Sequence, residues 1–418
     1  MSLMKTALAV ALCGAAAWPA TAGVFEERER DWRNGAVVYQ VIVDRFAPST
    51  NLDAKRALYP APRVLRRWDE VPVGNPELAP GTKITRHELD FWGGDLQSLR
   101  GKLDHVQALG ADVLYLNPIH LGFTNHKYDS LDFQALSPEY GTRADVKALA
   151  AELKRRRMKL VLDGVFNHMG RNAPAFKQAY EAYAAETAPT GGGRAAAGGS
   201  IYRDWFVFGP QFPGGARTWK GVLNLPELNL ENPAVREHIW AAPDSVVRSY
   251  LRDGADGWRL DTAYELGPTF LAELTAAAHK EKPGSLVVGE IVNHPGGWMP
   301  AMDAVMNFHW RTLLLGLVRG EIPVAQAGTM IERTVADVGT EPLLKSWLVL
   351  DNHDVRRLAT ELPDAAQRRL AQVLQFTLPG SPNLYYGVEV GMTGGDDPAQ
   401  RGPMRWDMVD QGHPDLVW

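Results

Sequence analysis

The chain has 418 residues, 45% hydrophobic and 22% charged, ordinary values for a soluble globular protein and enough for one large domain with an insertion or two to three smaller ones. Its formal net charge of -5 argues against a nucleic-acid partner, which calls for a basic stripe. The single cysteine, Cys13, excludes an internal disulfide framework.

The N-terminus reads as a secretory signal over residues 1–22. Lys5 gives a short positive start, Thr6 to Trp18 is apolar, and Ala20 and Ala22 supply small residues for cleavage. The expected location is periplasmic or secreted, with no membrane attachment after removal. The other reading is an uncleaved anchor. Beyond it, strand and helix patterns alternate, the mark of a parallel sheet. Val37 to Phe46 reads as the first strand. Residues 50–90 form a Pro-rich loop. Leu96 to Leu109 has helical spacing and stops at Gly110. Val113 to Leu116 is the second strand, Ala144 to Arg157 a helix, and Lys159 to Phe166 the third strand. The rhythm then breaks. Residues 169–230 read as an inserted subdomain with a flexible Gly/Ala-rich tip at Gly191 to Gly199, because a structureless loop of that length is rare in a compact domain. A helix over 233–252 leads to strands at Gly257 to Leu260, Leu286 to Ile291, Ala304 to Phe308, Ser346 to Leu350 and Asn383 to Tyr386. Eight strands with helices between them predict an α/β fold, a (β/α)8 TIM barrel built from 23–168 and 231–418. Its eighth helix is missing from the sequence.

Three strands run into carboxylates: Asp261, Glu290 and Asp354. Reactive groups of an eightfold barrel gather at the C-terminal ends of its strands, and two or three convergent carboxylates are the equipment of glycoside hydrolysis. Arg259 and Asp261 lie two apart and share a face of their strand. The cation is expected to lower the Asp261 pKa and keep it ionised; a purely structural Arg–Asp pair is the other reading. Glu290 follows apolar residues, so partial burial raises its pKa toward that of a general acid; otherwise it is a strand-end glutamate facing water. His353 and Asp354 suit sugar hydroxyls, or else a helix N-cap cluster. Asp163, Asn167 and His168 follow strand three. Tyr128 and Asp129 bring an aromatic and a carboxylate to the same rim, as platform or as wall. His126, His168, His294 and His353 lack zinc-ligand spacing, and neither a nucleophile elbow nor a phosphate loop occurs.

Segments 163–168, 257–261, 289–290 and 351–354 together resemble the α-amylase family of glycoside hydrolases. Residues 224–229, 304–307 and 391–396, with Glu265, are similar to its neopullulanase and cyclomaltodextrinase branch. The resemblance implies Asp261 as nucleophile, Glu290 as general acid/base and Asp354 as transition-state stabiliser. It also implies Tyr128, His168, Arg259 and His353 as substrate-binding residues, with Asp129 and Glu265 beside them. A structural calcium is implied at Asn167, Asp53, Gly93 and Asp95, although Pro48 stands at one ligand position; the chemistry itself needs no cofactor. Val292 stands where the branch usually has tryptophan. The branch's large N-terminal domain and C-terminal β-sandwich are missing from the sequence. The expected activity is that of a retaining α-glycosidase on α-glucans, maltooligosaccharides or cyclodextrins. The alternatives are a transglycosylase or isomerase using the same site, and an inactive or sugar-binding fragment.

Overall fold

The computed structural model describes residues 18–188 and 200–417. Residues 1–17 of the expected signal, with Cys13, and the Gly191 to Gly199 tip lie outside them. Eight parallel strands close into a barrel: β1 Val38–Val41, β2 Val113–Leu116, β3 Lys159–Gly164, β4 Gly257–Leu260, β5 Leu286–Ile291, β6 Ala304–Asn307, β7 Trp347–Val349 and β8 Ser381–Tyr385. The ring runs in sequence order and closes by β1 pairing with both β2 and β8. This is the predicted (β/α)8 fold.

Period-two alternation sorts the strand residues into two layers. Val38, Val113, Tyr115, Val161, Val288, Met306 and Trp347 fill the barrel axis. Leu114, Leu160, Leu162, Trp258, Leu260, Val287 and Val305 face outward under the helices. The axial series turns polar at the C-terminal end, where Gln40, Asp163, Arg259, Glu290 and Asn383 occupy the positions that follow by alternation, all of them buried. A barrel packed with aliphatic side chains below and charged ones above is what places chemistry at one end.

The elements differ from their sequence reading where breakers act. β1 ends at Val41, and Val43–Phe46 is a helical turn, so Asp44 is not a strand residue. Its carboxylate instead accepts the Trp92 N–H at 3.0 Å and the Gly93 N–H at 2.9 Å. The helix expected over Leu96 to Leu109 is two pieces, Leu96–Arg100 and Leu103–Ala108, parted at Gly101, whose N–H closes back onto Gln97 and Leu99. The helix expected over 233–252 is interrupted after Ala241, and Val246–Arg252 starts anew; Pro243 has no N–H to offer. Between β5 and β6 only the short turns Pro295–Gly297 and Met299–Ala301 form among the described residues. After β3 comes the helix Pro174–Thr187; the described chain from residue 200 onward carries a bridge of Phe206 with Leu228 inside the insertion and meets the loop after β3 through the bridge of His168 with Glu227. After β8 the described chain carries short helical segments, Trp406–Asp410 and Pro414–Val417. Among the described residues no helix is long and apolar enough to cross a membrane.

The loop of residues 50–95 is pinned to the helical turn after β1 by a close approach at Gly94. Its N–H donates to Asp44 O at 2.9 Å, and an added Cβ would meet Val43 O at 2.2 Å. That atom belongs to backbone and cannot swing away. Gly94→Ala is therefore expected to cost about 3 kcal/mol in urea unfolding followed by tryptophan fluorescence. A loss below about 1 kcal/mol would show that this loop shifts freely and is not pinned to that turn.

Candidate active site

At the polar end of the barrel one guanidinium gathers carboxylates from three strands. Arg259 Nη1 donates to Asp163 at 2.9 and 3.1 Å and to Asp261 Oδ1 at 3.0 Å. Nη2 lies 2.9 Å from Glu290 Oε2 but is not aligned for a hydrogen bond. Glu290 Oε2 accepts the Thr262 N–H at 2.9 Å. Thr262 takes a left-handed conformation with φ 40°, a costly turn for a β-branched residue that directs its N–H at the neighbouring strand's carboxylate. Asp163 is held further by the hydroxyls of Tyr115 at 2.6 Å and Tyr128 at 2.9 Å.

The Tyr128 hydroxyl fixes the protonation of His353. Its one proton goes to Asp163, so the imidazole Nε2, 2.6 Å away, must donate to it. Nδ1 then accepts from Gln40 at 3.0 Å. Burial, with Arg401 and Arg259 nearby, keeps His353 neutral, well below its ordinary pKa. The two rings stack at 5.3 Å. Asp354 Oδ2 is 3.2 Å from His353 Nε2, and Asp354 Oδ1 accepts from Arg401 at 3.4 Å.

These groups floor a cavity of about 430 Å³. Its lining includes Asp261, Glu290 and Asp354 with Glu88, His126, Tyr128, Asp397 and Arg401, and with His168, Trp219, Lys220, Tyr264 and Val292. His126 lies 3.1 Å from Glu88. Burial alone would raise Glu88, but His126 and Thr85 bring it down to about 2. Burial pushes His168 down to about 3, so it is neutral.

The expected lowering of the Asp261 pKa is overturned. Burial pushes Asp261 well above the ordinary carboxylate range, with Arg259 opposing and Glu290, Asp163 and Asp354 adding to the rise. Asp163 and Glu290 are raised by the same desolvation, again with Arg259 opposing. One cation serves three nearby dry carboxyls, so their titrations are linked.

The structure brings Asp261, Glu290, Asp354, Tyr128 and His168 to the cavity. Arg259 and His353 lie one layer beneath it, fully buried, and hold the wall residues. Glu265 is half-buried and accepts from Asn167 at 3.3 Å. Asp129 does not reach the cavity. It is fully buried and accepts the Thr124 N–H and hydroxyl at 3.0 and 2.5 Å, which shapes its own loop. The expected calcium ligands do not fit a cation. Asp95 is paired with the Lys55 ammonium, exposed Asp53 is paired with Arg56, and Asn167 turns toward Glu265 and His168. Among the described residues no group of three or more His, Cys, Asp or Glu is placed to hold a metal. Sequence reasoning missed Tyr115, Glu88, Lys220, Asp397 and Arg401. Alternation from Val113 marks Tyr115 as axial; the others sit on irregular loops without a periodic signal.

The family model for the catalytic domain of alpha amylase matches residues 40–415. Neopullulanase 2 of Thermoactinomyces vulgaris is 31% identical over 395 residues, 91% of this chain and 60% of the relative. A cyclomaltodextrinase of a Bacillus species is 31% identical over 387 residues, 90% of this chain and 62% of the relative. The chain thus spans about 60% of the length of these curated relatives. Among solved structures, the cyclic α-maltosyl-(1→6)-maltose hydrolase of Arthrobacter globiformis superposes with a TM-score of 0.78 at 32% identity, over 93% of this chain and 81% of that one.

Asp351, behind Asp354, yields a pH test. Burial raises its pKa to about 6, against a hydrogen bond from the Leu358 N–H. Unfolded, it titrates near about 4. Between those values the folded state holds a proton that the unfolded state has lost, so stability falls as pH rises through the window. The term is fully present below pH ~4 and gone above ~6, and is worth on the order of 3 kcal/mol. Asp351→Asn keeps the acceptor for Leu358 and removes the titration. Its stability relative to wild type should climb from pH 4 to 6 and then level, in chemical denaturation at each pH. A flat difference curve would show that Asp351 is not held protonated.

Proposed function

We propose that this chain, which belongs to the α-amylase family, is a retaining α-glycosidase acting on α-glucans, maltooligosaccharides or cyclodextrins. The observation that carries the reading is the placement of Asp261 and Glu290 on the two terminal nitrogens of one guanidinium. Inverting enzymes separate their carboxyls by roughly 6.5–9.5 Å to admit a water, whereas retaining pairs stand about 5 Å apart. Two carboxyls sharing one planar fork fit the second class.

Asp163 and Asp261 accept direct hydrogen bonds from Arg259 Nη1, which favours their ionised forms against the burial that raises both. Glu290 is beside Nη2 without such a bond, which suits it to the part of proton donor. Glu290 gives its proton to the glycosidic oxygen as the bond from that oxygen to the anomeric carbon breaks. Asp261 supplies the electron pair for the new bond to that carbon. Water then gives a proton to Glu290 and its oxygen to the anomeric carbon, and Asp261 leaves. Asp354 offers its charge to the developing oxocarbenium ion and its oxygens to sugar hydroxyls. His168, neutral and with Nε2 unpaired among the described residues, is ready for one more hydroxyl. The names of the relatives, neopullulanase and cyclomaltodextrinase, support an α-glucan substrate. Lys5, the apolar run after it and the small residues Ala20 and Ala22 support export with cleavage after Ala22.

Asp261→Asn is expected to lower kcat on maltoheptaose on the order of 10⁴-fold while the melting temperature stays within a few degrees of wild type. Proton NMR of the first product should show the α-anomer. The β-anomer, or a variant that still turns over, would overturn the assignment.

A further inference from the structure

We propose that Lys220 is a specificity-determining residue that grips the sugar on the leaving-group side of Glu290. The proposal rests on the glycosidase reading above and goes past it, to a side chain supplied by the segment inserted after β3.

The backbone at this point is unusual. Lys220 has φ 46° and Gly221 φ 77°, two successive left-handed residues that reverse the chain within the turn Trp219–Gly221. Glycine takes that conformation readily; a lysine is disfavoured there. The turn presents the Lys220 side chain on the cavity wall with Trp219, Tyr264, Glu290 and Val292. Its ammonium rests on two rings, 4.9 Å from the centroid of Trp219 and 5.7 Å from that of Tyr264. Its electrostatic neighbours are Tyr264, Glu265 and Glu290. Trp219 is fixed from behind by the His168 ring at 5.7 Å. A cation with three donors, held in place by two aromatic rings, suits the hydroxyls of a pyranose ring.

The position sets which sugar is met. Glu290 protonates the departing oxygen, and Lys220 shares the cavity lining with Glu290 and has it as an electrostatic neighbour, which places the ammonium to meet the departing sugar. Val292 of the same lining is 58% exposed and too small to stack on a sugar itself, which leaves the grip to Lys220.

The test compares two substrates of the full chain. Maltotriose departs as a sugar with hydroxyls; 4-nitrophenyl α-maltoside departs as a phenol without them. Lys220→Gly suits the left-handed backbone and Lys220→Met keeps the aliphatic stem, so both keep the fold, as checked by melting temperature. We expect kcat/KM on maltotriose to fall at least roughly 10-fold, the scale of a charge-assisted hydrogen bond, mostly through KM. The loss on the aryl substrate should be at least about 5-fold smaller. Lys220→Arg should restore part of the loss. Equal losses on both substrates, with a shifted alkaline limb of the pH profile, would overturn the proposal and leave Lys220 acting only through Glu290. No loss on either would overturn it outright. A wild-type chain that cleaves neither substrate would overturn the glycosidase reading itself, and this proposal with it.

Discussion

A single buried guanidinium is the interaction on which the site depends. Arg259 is inside the barrel, and charges there are tolerated only when paired and hydrogen-bonded. It meets Asp163 from β3, Asp261 from its own strand and Glu290 from β5. Burial raises the pKa of each carboxyl, and the cation between them opposes the rise. Packing and the electrostatics of the site thus place the same demand on this residue. Its loss would leave dry carboxyls without a partner, a defect typically worth about 3–5 kcal/mol.

Around that centre a polar belt ties the strands together. Gln40 of β1 bonds to Asn117 after β2, to His353 after β7 and to Asn383 of β8. Tyr115 of β2 and Tyr128 from the following loop both reach Asp163 of β3. Each bond contributes only about 1 kcal/mol net, yet breaking one strands a buried partner at greater cost. The belt makes side-chain orientation at the floor a property of the whole ring. Rigid strands and their ends hold Asp163, Arg259, Asp261 and Glu290; the loops above them, free of pairing rules, carry the other residues of the cavity lining.

That division explains how much was legible in the sequence. β2, β4 and β5 fall where hydrophobic runs place them, because a buried parallel strand must be apolar throughout. Asp261 and Glu290 follow, since strand ends point into the site. The reading faltered where spacing is silent. Asp129 shares its rim with Tyr128 but turns inward to Thr124, and no pattern of residues records which way a loop carboxylate turns. Asp261 lies beside Arg259 as expected, but its pKa moves up, because desolvation and neighbouring carboxylates are three-dimensional facts. Lys220 was invisible: one lysine in an irregular stretch has no period.

The pairing of Lys55 with Asp95 bears on the environment in which the molecule can work. Asp95 caps the helix Leu96–Arg100 by accepting from Ser98 at 2.7 Å, and its second oxygen takes the Lys55 ammonium. The charge that anchors the 50–95 loop is thus covalently part of the chain. An ion drawn from solution is present only to the extent that its free concentration exceeds its dissociation constant; a lysine is present always. Water hardness, chelators and competing phosphates leave this anchor alone. What bears on it instead is ionic strength, and only weakly, because Asp95 is nearly sealed from water while Lys55 is about one-fifth exposed.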